Sequence, residues 1–413
     1  MPESKSFCIS KHLVFEAYRR VKANKGAAGV DGKTLDQFEE NLKDNLYKIW
    51  NRMSSGSYIP PPVKLVEIPK SNGGVRTLGI PTVADRIAQM VVKMVLEPMV
   101  EPIFHPGSFG YRPKKSALDA VGKARERCWR SDWVIDLDIK AFFDSLDHEL
   151  VERAVARHTD LPWVKMYIGR WLRAPAQKAE GTVANRTKGT PQGGVISPLL
   201  ANLFLHYAFD IWINRKYPTI QFERYADDAI VHCRSESEAV EVLEAIRSRF
   251  TECGLELHPE KTRIVYCKDD DRPGNHEHIS FDFLGYTFRP REAKNRWGKI
   301  FLSFIPAISG KAAKSIREEI RSWRLPTLMS NQHLGALAEH ANPKLRGWMN
   351  YYGRFYRTEC IKVLKYFNKV LAGWARRKYK GLGNGFQFMR RIAKQAPNLF
   401  ASWQHGARPA TGG

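Results

Sequence analysis

The length, composition and charge of the chain exclude several classes of protein. Its 413 residues are 43% hydrophobic and 26% charged, which excludes a disordered chain and predicts a globular protein of two or three domains. Lys and Arg number 66 against 43 Asp and Glu, which gives a formal net charge of +23. Because like charges repel within a folded protein, this surplus favours a polyanionic partner, and nucleic acid is the expected one.

The sequence also argues against a membrane or secreted protein. It contains no run of about 18 apolar residues that would span a bilayer, and its start lacks the basic and then apolar pattern of a signal peptide. Its six cysteines are scattered without a CxxC pair, so neither a disulfide framework nor a paired-ligand zinc module is expected. We therefore expect an intracellular protein, in the cytoplasm or at the nucleoid, with no membrane partner.

The first predicted element of chemical interest is a turn between two strands. Lys70 and Arg76 flank the segment Ser71-Asn72-Gly73-Gly74, whose Asn and Gly residues are typical of turns. Both cations are therefore expected near a hairpin tip.

A strand that carries acids follows. From Ser131 to Phe143, apolar residues alternate with a second series that includes Asp136 and Asp138, and this period of two predicts a β-strand. Strand interiors disfavour Asp, so acids near the end of the strand need a reason. A helix is predicted next, with Asp147 as its N-cap.

A turn and a helix come next in the chain. Gln192 lies in a Pro-Gln-Gly-Gly turn, where glycine permits a close approach of the backbone. Ser197 and Pro198 match the N-cap and the first residue of a helix. Apolar residues from Leu200 to Trp212 recur at helical spacing, which predicts a buried helix face.

The second acidic element occupies residues 222–231. Apolar residues flank Asp227 and Asp228, which predicts a strand, a tight turn and a returning strand. Asp is common in turns, so this turn alone means little. Together with Asp138, however, it supplies the oxygen ligands that Mg²⁺ prefers, and paired metals can clamp both oxygens of a phosphoryl displacement.

The C-terminal quarter of the chain is strongly basic. Residues 306–413 hold 20 Lys and Arg against four Glu, which is over two-thirds of the net charge. Apolar residues at helical spacing alternate there with basic ones over residues 345–380. An ordinary bundle with a solvated basic face and a helical clamp on nucleic acid both fit this pattern, and the concentration of charge favours the clamp. Residues 381–413 are predicted to form a small, partly ordered appendage.

Several blocks of residues, in a fixed order, resemble the reverse transcriptases encoded by group II introns. The three most specific blocks are Asp138 to His148 (DIKAFFDSLDH), Gly189 to Asn202 (GTPQGGVISPLLAN) and Tyr225-Ala226-Asp227-Asp228. Weaker blocks are residues 24–32, 68–81, 108–112, 254–262 and 283–286. The resemblance covers nearly the whole chain, and any one block would be modest evidence.

The resemblance implies an α+β fold, a right-hand polymerase with fingers and a palm built on an antiparallel sheet, followed by an α-helical thumb. The expected domains are an N-terminal extension (1–60), fingers and palm (61–305), a helical thumb or maturase domain (306–380) and a short basic DNA-binding-like appendage (381–413). The implied function is RNA-directed DNA synthesis, together with binding of intron RNA for splicing and retrohoming. The implied partners are intron or template RNA, a DNA or RNA primer, target DNA and dNTPs.

The same resemblance implies roles for individual residues. Asp138 and Asp227 would hold two Mg²⁺ ions, with Mn²⁺ as an alternative, helped by the Ile139 carbonyl and by Asp228. The residues expected at the nucleotide are Lys70 and Arg76 (triphosphate), Phe143 (steric gate), Gln192 (nucleotide or template base) and Lys261 (proton donor). Those expected at the primer or template are Phe283, Leu284, Gly285, Lys344, Arg346 and Arg354. A core aromatic is the alternative for Phe143, and a template-backbone contact is the alternative for the cations of the hairpin.

Two other functions fit parts of the sequence. A splicing cofactor without polymerase activity would keep the basic helices, but the retained Asp138, Asp227 and Asp228 argue against it. A reverse transcriptase recruited by a host for defence or repair would keep the catalytic blocks. The chain ends without the paired cysteines of the endonuclease found in the fullest family members, so we expect no second-strand cleavage.

Overall fold

The computed structural model describes residues 5–69 and 74–409, and these divide into two compact units. Unit 1 comprises residues 1–116, 137–231 and 240–262, and unit 2 comprises residues 117–136, 232–239 and 263–413. Within the described ranges, no helix is long and apolar enough to cross a membrane.

Unit 1 contains most of the helices that precede residue 217. Its helices are α1 (Lys11–Asn24), α2 (Leu35–Glu39), α3 (Leu42–Ser54), α4 (Val83–Val100), α6 (Phe142–Ser145), α7 (His148–Ala156), α8 (Pro162–Leu172), α9 (Ser197–Leu205) and α10 (Ile211–Lys216). A one-turn π-helix, His206–Asp210, joins α9 to α10. Helix α4 begins at the N-cap Thr82, whose side chain accepts from the Asp85 N–H, and it buries most of its length in the core of the unit.

The strands form three sheets. They are β1 (Val63–Pro69), β2 (Val75–Ile80), β3 (Trp133–Asp138), β4 (Ala176–Gln177), β5 (Val183–Ala184), β6 (Gln221–Tyr225), β7 (Asp228–Cys233), β8 (Arg263–Tyr266), β9 (Phe281–Phe283), β10 (Tyr286–Lys294) and β11 (Ile300–Ile308). The hydrogen-bonded orders are β2-β1-β4-β5, β6-β7-β3-β8 and β11-β10-β9. Strands β1 and β2 are antiparallel with Pro69 opposite Val75, so they form the predicted hairpin, whose tip lies outside the described residues.

Unit 2 is mainly helical after strand β11. Its helices are α5 (Ala117–Cys128), α12 (Gly310–Ser322), α13 (Leu325–Leu328), α14 (Leu334–Tyr352), α15 (Arg357–Lys378), α16 (Gly385–Gln395) and α17 (Ala401–Gln404). Helix α11 (Glu236–Glu252) begins in unit 2 and continues in unit 1, and strands β3 and β7 likewise contribute residues to both units. The predicted α+β class, with strands and helices followed by a helical region, is confirmed.

Two details differ from the sequence-based expectations. Helix α9 has Ile196 as its N-cap, and Ser197 is already helical, because its hydroxyl hydrogen-bonds Thr190 Oγ1 at 2.8 Å instead of capping the helix. Residues beyond 380 form α16 and α17, and their Met389, Phe400 and Trp403 are buried in the same core as α12 to α15. The C-terminal segment is thus part of the helical core of unit 2, since its apolar residues are the ones that fill it.

Candidate active site

Asp138 lies at the end of strand β3, where the backbone of residues 256–262 continues the pairing. The Asp138 carbonyl accepts from the His258 N–H at 2.8 Å, and Ile139 forms an antiparallel bridge with Leu257. This pairing brings Lys261 Nζ to 3.3 Å from Asp138 Oδ2. The Asp138 side chain remains 41% exposed, so the pair is open to solvent and to a ligand.

The second acidic element is the predicted strand, turn and returning strand. Strand β6 ends at Tyr225, strand β7 begins at Asp228, and Ala226 between them has a left-handed φ of 59°. Gly110 lies against this turn, because a Cβ there would come within 2.4 Å of the Ala226 nitrogen. The turn thus presents Asp227 and Asp228 beside the end of β3, its neighbour in the sheet.

Burial and charge act on Asp227 together. Burial raises the pKa of its carboxyl above the ordinary value, and the negative charge of Asp138 raises this pKa further. A backbone hydrogen bond and the positive charges of Arg76 and Arg224 oppose the rise. Because the charge of Asp138 disfavours the ionised form of Asp227, a cation bound beside both carboxylates would remove this repulsion.

A buried ion pair supports the acidic turn from behind. Arg224 and Asp210 are 1% and 0% exposed, and two guanidinium nitrogens of Arg224 donate to Asp210 at 2.8 and 2.7 Å. The remaining donors reach Asn202 Oδ1 and the Ala226 carbonyl, both at 3.0 Å, and Ser108 Oγ at 2.9 Å. Arg224 therefore fixes the turn residue next to Asp227 through contacts whose donors are fully used.

The segment before α5 pairs with the edge of β6. Ser108 forms a parallel bridge with Arg224, and the Phe109 N–H donates to the Arg224 carbonyl at 2.8 Å. Asn202 Nδ2 donates to the Gly110 carbonyl at 2.6 Å. Tyr111 is the next residue. The pKa of its phenol is raised, mainly by burial and to a smaller extent by the charge of Asp227. The block at residues 108–112 is thus part of the wall around the acidic turn.

The predicted nucleotide contacts Arg76 and Gln192 are brought together. Arg76 Nε donates to Gln192 Oε1 at 2.7 Å, and the Gly79 N–H donates to the Gln192 carbonyl at 2.8 Å. These contacts join the β1–β2 hairpin to the Pro-Gln-Gly-Gly turn. The charge of Arg76 also lowers the pKa of Asp227. The side chains of Arg76, Gln192 and Asp227 therefore belong to one site. Lys70 lies outside the described residues.

A buried polar network holds the same turn from its other side. Asp85 is 1% exposed and accepts from Tyr58, Trp171 and Gln89 at 2.8 to 2.9 Å. Gln89 in turn accepts from the Val195 N–H at 2.8 Å. Burial raises the pKa of the Asp85 carboxyl. Neither this network nor the Arg224–Asp210 pair is predicted by the sequence pattern.

Phe143 is buried in unit 1, with 7% of its surface exposed. It follows Ala141, which has a left-handed φ of 47°, and its ring packs edge to face on Phe142 with centroids 5.4 Å apart. The Thr190 N–H donates to the Phe143 carbonyl at 2.7 Å. The steric-gate role of Phe143 and its alternative, a core aromatic, both remain predictions.

The residues predicted at the primer or template lie in unit 2. Leu284 and Gly285 form a left-handed turn between β9 and β10, with φ of 50° and 80°, and Tyr351 donates to the Leu284 carbonyl at 2.8 Å. Phe283 is fully buried. On and after α14, Lys344, Arg346 and Arg354 are exposed, and Lys344 pairs with Glu319. The roles assigned to these residues remain predictions.

The donor set suits a metal that is shared with a substrate. Within residues 5–69 and 74–409, no three His, Cys, Asp or Glu side chains converge as a ready-made metal cage. Mg²⁺ in phosphoryl-transfer sites is bound through one or two carboxylates together with substrate phosphates. The coupled pair Asp138 and Asp227 fits that pattern, and it does not fit a permanent, fully protein-bound ion.

Two family models match the chain in the regions just described. The model of reverse transcriptase (RNA-dependent DNA polymerase) matches residues 68–288, more than half of the chain. The model of the group II intron maturase-specific domain matches residues 313–393. The chain belongs to the group II intron reverse transcriptase family. By this family it is an RNA-directed DNA polymerase, and the family predicted from the sequence blocks is confirmed.

Several proteins are similar to this group II intron reverse transcriptase. Protein YkfC of Escherichia coli (strain K12) is 30% identical over 334 residues, which cover 70% of this chain and 84% of that protein. Group II intron-encoded protein LtrA of Lactococcus lactis subsp. cremoris is 33% identical over 204 residues, which cover 48% of this chain but 33% of LtrA. A solved telomerase from Candida albicans, with a telomeric RNA fragment, matches at 11% identity and a TM-score of 0.47, covering 89% of this chain and 67% of that one.

Proposed function

We propose that this family member copies an RNA template into DNA by metal-dependent nucleotidyl transfer at the site formed by Asp138, Asp227 and Asp228. The observation that carries the proposal is the electrostatic coupling of Asp138 and Asp227, which come from neighbouring strands of one sheet. Two Mg²⁺ ions, when bound, would activate the primer 3′-hydroxyl and neutralise charge on the leaving pyrophosphate. Asp138, Asp227 and the Ile139 carbonyl would hold them, with Asp228 in support.

The neighbouring side chains would bind and orient the nucleotide. Arg76, together with Lys70, would bind the triphosphate, because guanidinium donors match phosphate oxygens in pairs. Gln192, held by Arg76 and the Gly79 N–H, would contact the nucleotide or the template base. Lys261 lies beside Asp138 and would give a proton to the leaving pyrophosphate. Phe143 would close the sugar pocket against a 2′-hydroxyl.

We propose further that the basic helices of unit 2 bind structured intron RNA and a primer–template, so that the protein assists splicing and retrohoming. The match of the maturase-specific model to residues 313–393 supports this. The boundaries at residues 60 and 305 remain part of the proposal, whereas Met389 and Trp403 lie in the same core as the helices before residue 380. Such a protein would act where intron RNA, target DNA and dNTPs meet, in the cytoplasm or at the nucleoid.

Primer extension tests the polymerase site. The native chain, given an RNA template, a DNA primer, dNTPs and Mg²⁺, should extend the primer. Asp227→Asn should lower the rate by at least about 10²-fold, because it removes a charge that the metals require. Asp36→Asn, at an acid in the first turn of α2, is the matched control and should leave the rate unchanged. Full extension by Asp227→Asn would refute the assignment of the site.

Binding of a structured intron RNA tests the second part of the proposal separately. Asp227→Asn should bind this RNA as tightly as the native chain and should still promote its splicing at low Mg²⁺. If the native chain binds this RNA but does not promote its splicing, the maturase role is contradicted, whatever the result of primer extension.

A further inference from the structure

A cavity in unit 1 shares no lining residue with the carboxylate site. Its volume is about 580 Å³, within the range of small-molecule sites. Four arginines line it, and no Asp or Glu does; they are Arg153, Arg157, Arg215 and Arg249. Its apolar lining residues include Leu150 of α7, Phe204 of α9, Ala208 of the π-helix and Ile211 of α10. This arginine cavity therefore combines cationic and apolar lining residues.

Residues of the π-helix His206–Asp210 line the arginine cavity and hold Arg249 in place. Arg249 Nε donates to the Ala208 carbonyl at 3.2 Å, and its second terminal nitrogen donates to the Tyr207 carbonyl at 3.3 Å. A third nitrogen pairs with Glu252 at 3.0 Å. Isolated turns of π-helix occur frequently at functional sites. Arg249 is thus held in place before any ligand arrives.

The other three arginines differ from Arg249. Arg153, Arg157 and Arg215 are exposed, and within the described part of the chain none of them makes a side-chain hydrogen bond or ion pair. Three guanidinium groups around one cavity repel each other, and this repulsion is offset when an anion binds.

A second cavity of similar size provides the contrast. It has a volume of about 650 Å³ and is also lined by arginines, but these are satisfied. Arg170 donates to the Gly56 and Tyr58 carbonyls at 2.8 and 2.6 Å, and Arg173 pairs with Glu152. Its arginines therefore hold the fold together, whereas three of the four arginines of the arginine cavity make no such contacts within the described residues.

We propose that the arginine cavity binds a nucleotide. Its phosphate contacts Arg153, Arg157 and Arg215, and its base contacts the apolar residues of the lining. Arginine forks match phosphate oxygens, and bases stack on aromatic rings or guanidinium planes. Tyr207 supplies a partly exposed ring whose hydroxyl lies 2.6 Å from His158 Nε2, and Phe204 also lines the cavity. The nucleotide is either free or a unit of single-stranded RNA.

Photolabelling of the full chain tests the proposal and separates the two sources. The probes are 8-azidoadenosine 5′-monophosphate and a ten-residue oligoadenylate that carries one 8-azidoadenosine. The test variant is Arg157→Gln/Arg215→Gln. The matched control is Arg19→Gln/Arg20→Gln, which removes two exposed arginines of α1 that both pair with Glu16. Primer extension and thermal unfolding of both variants should match the native chain, because none of these residues belongs to the polymerase site.

Label is expected on peptides that contain residues 204–215 or 249–253. The test variant should lose it by about tenfold or more, as for the loss of hydrogen bonds to a charged group, and the control by less than about twofold. Labelling by the monophosphate supports a free nucleotide, and labelling by the oligonucleotide alone supports a strand. Label confined to other peptides, or equal in the test variant and the native chain, overturns the proposal, whether or not primer extension succeeds.

Discussion

At the scale of single residues, the surroundings of Asp227 disfavour the ionised form of its carboxyl group. Its pKa is raised by burial and by Asp138, so ionising it costs free energy in the folded chain. A carboxyl whose folded pKa is raised stabilises the fold when it is protonated, and this contribution is lost as the pH rises through the folded pKa. Without a bound metal ion, the ionised carboxylate of Asp227 therefore destabilises the folded chain at neutral pH.

We expect Asp227→Asn to raise the midpoint of thermal unfolding near pH 7 without divalent ions, since it removes that charge. The gain should shrink as the pH falls through the raised pKa, because the native carboxyl then becomes neutral too. Added Mg²⁺ should stabilise the native chain more than the variant. Calorimetry across pH measures all three effects, and an unchanged or lower midpoint at pH 7 would contradict the assigned shift.

Arg224 gives a second prediction at this scale. Arg224→Met leaves Asp210 buried without a counter-charge, and breaking one partner of a buried pair costs about 3–5 kcal/mol. The double variant Arg224→Met/Asp210→Leu should recover part of this loss, because both charges are gone. Chemical denaturation measures the free energies. Primer extension should stay low in the double variant, since the Ala226 carbonyl has still lost its donor.

Two results would contradict these roles of Arg224 and Asp210. A cost below about 1 kcal/mol for Arg224→Met would mean that water replaces the guanidinium. Full extension by the double variant would mean that the turn at Ala226 needs no support from Arg224.

At the scale of elements, α16 and α17 decide where the helical core of unit 2 ends. Trp403 is fully buried and its Nε1 donates to Asn368 Oδ1 at 2.8 Å, while Phe400 packs edge to face on Phe367 at 5.1 Å. Asn368 also donates to the Ala407 carbonyl at 2.8 Å. The last helices thus close α15 on one side, so they stabilise the surface that would bind RNA.

Trp403→Ala should therefore destabilise the chain by about 3–5 kcal/mol, the usual cost of removing a large buried aromatic side chain. The matched control is Trp297→Ala, because Trp297 is 75% exposed in the turn between β10 and β11. The control should lose less than about 0.5 kcal/mol. Equal stability of the two variants in denaturant titrations would show that the C-terminal helices are dispensable.

At the scale of the whole molecule, periodicity and blocks of residues predict much of what the structure contains. The strand before Asp138, the turn at Asp227 and the cap at Asp147 follow from local pattern, and the Asp147 side chain does accept from the Leu150 N–H at 2.9 Å. The Arg224–Asp210 pair does not, since the residues that flank Arg224 do not tell a buried Arg from an exposed one. Partners that are 14 to 116 residues apart become visible only when the chain has folded.

The C-terminal segment shows the same limit from another direction. Its Gly, Ala and Pro residues are typical of loosely ordered chain ends, and the few large apolar residues among them give no clear period. Their burial depends on a core that α12 to α15 leave incomplete, which is a property of the assembled helices. Composition therefore underestimates order wherever a segment completes a core that other elements have begun.

The distribution of charge predicts how the molecule as a whole binds RNA. Exposed Lys365, Lys369 and Arg376 lie along one face of α15, at spacings of 4 and 7 residues. If that face contacts phosphates, affinity for a primer–template should fall linearly on logarithmic axes with salt, with a slope of about −0.7 to −0.9 per phosphate neutralised. Replacing the three residues by Gln should make the slope shallower by about 2 to 3.

The matched control replaces Lys33, Lys43 and Lys48 by Gln, which lowers the net charge equally but leaves α15 intact. If net charge alone attracts RNA, both triple variants should weaken binding alike and neither should change the slope selectively. If α15 clamps the backbone, only its variant changes the slope, because counterion release counts phosphates that are neutralised by contact. Fluorescence anisotropy of a labelled primer–template distinguishes a localised clamp from a diffuse basic surface. Between about 50 and 400 mM KCl, affinity should fall by about 0.6 to 0.8 of a decade per phosphate neutralised.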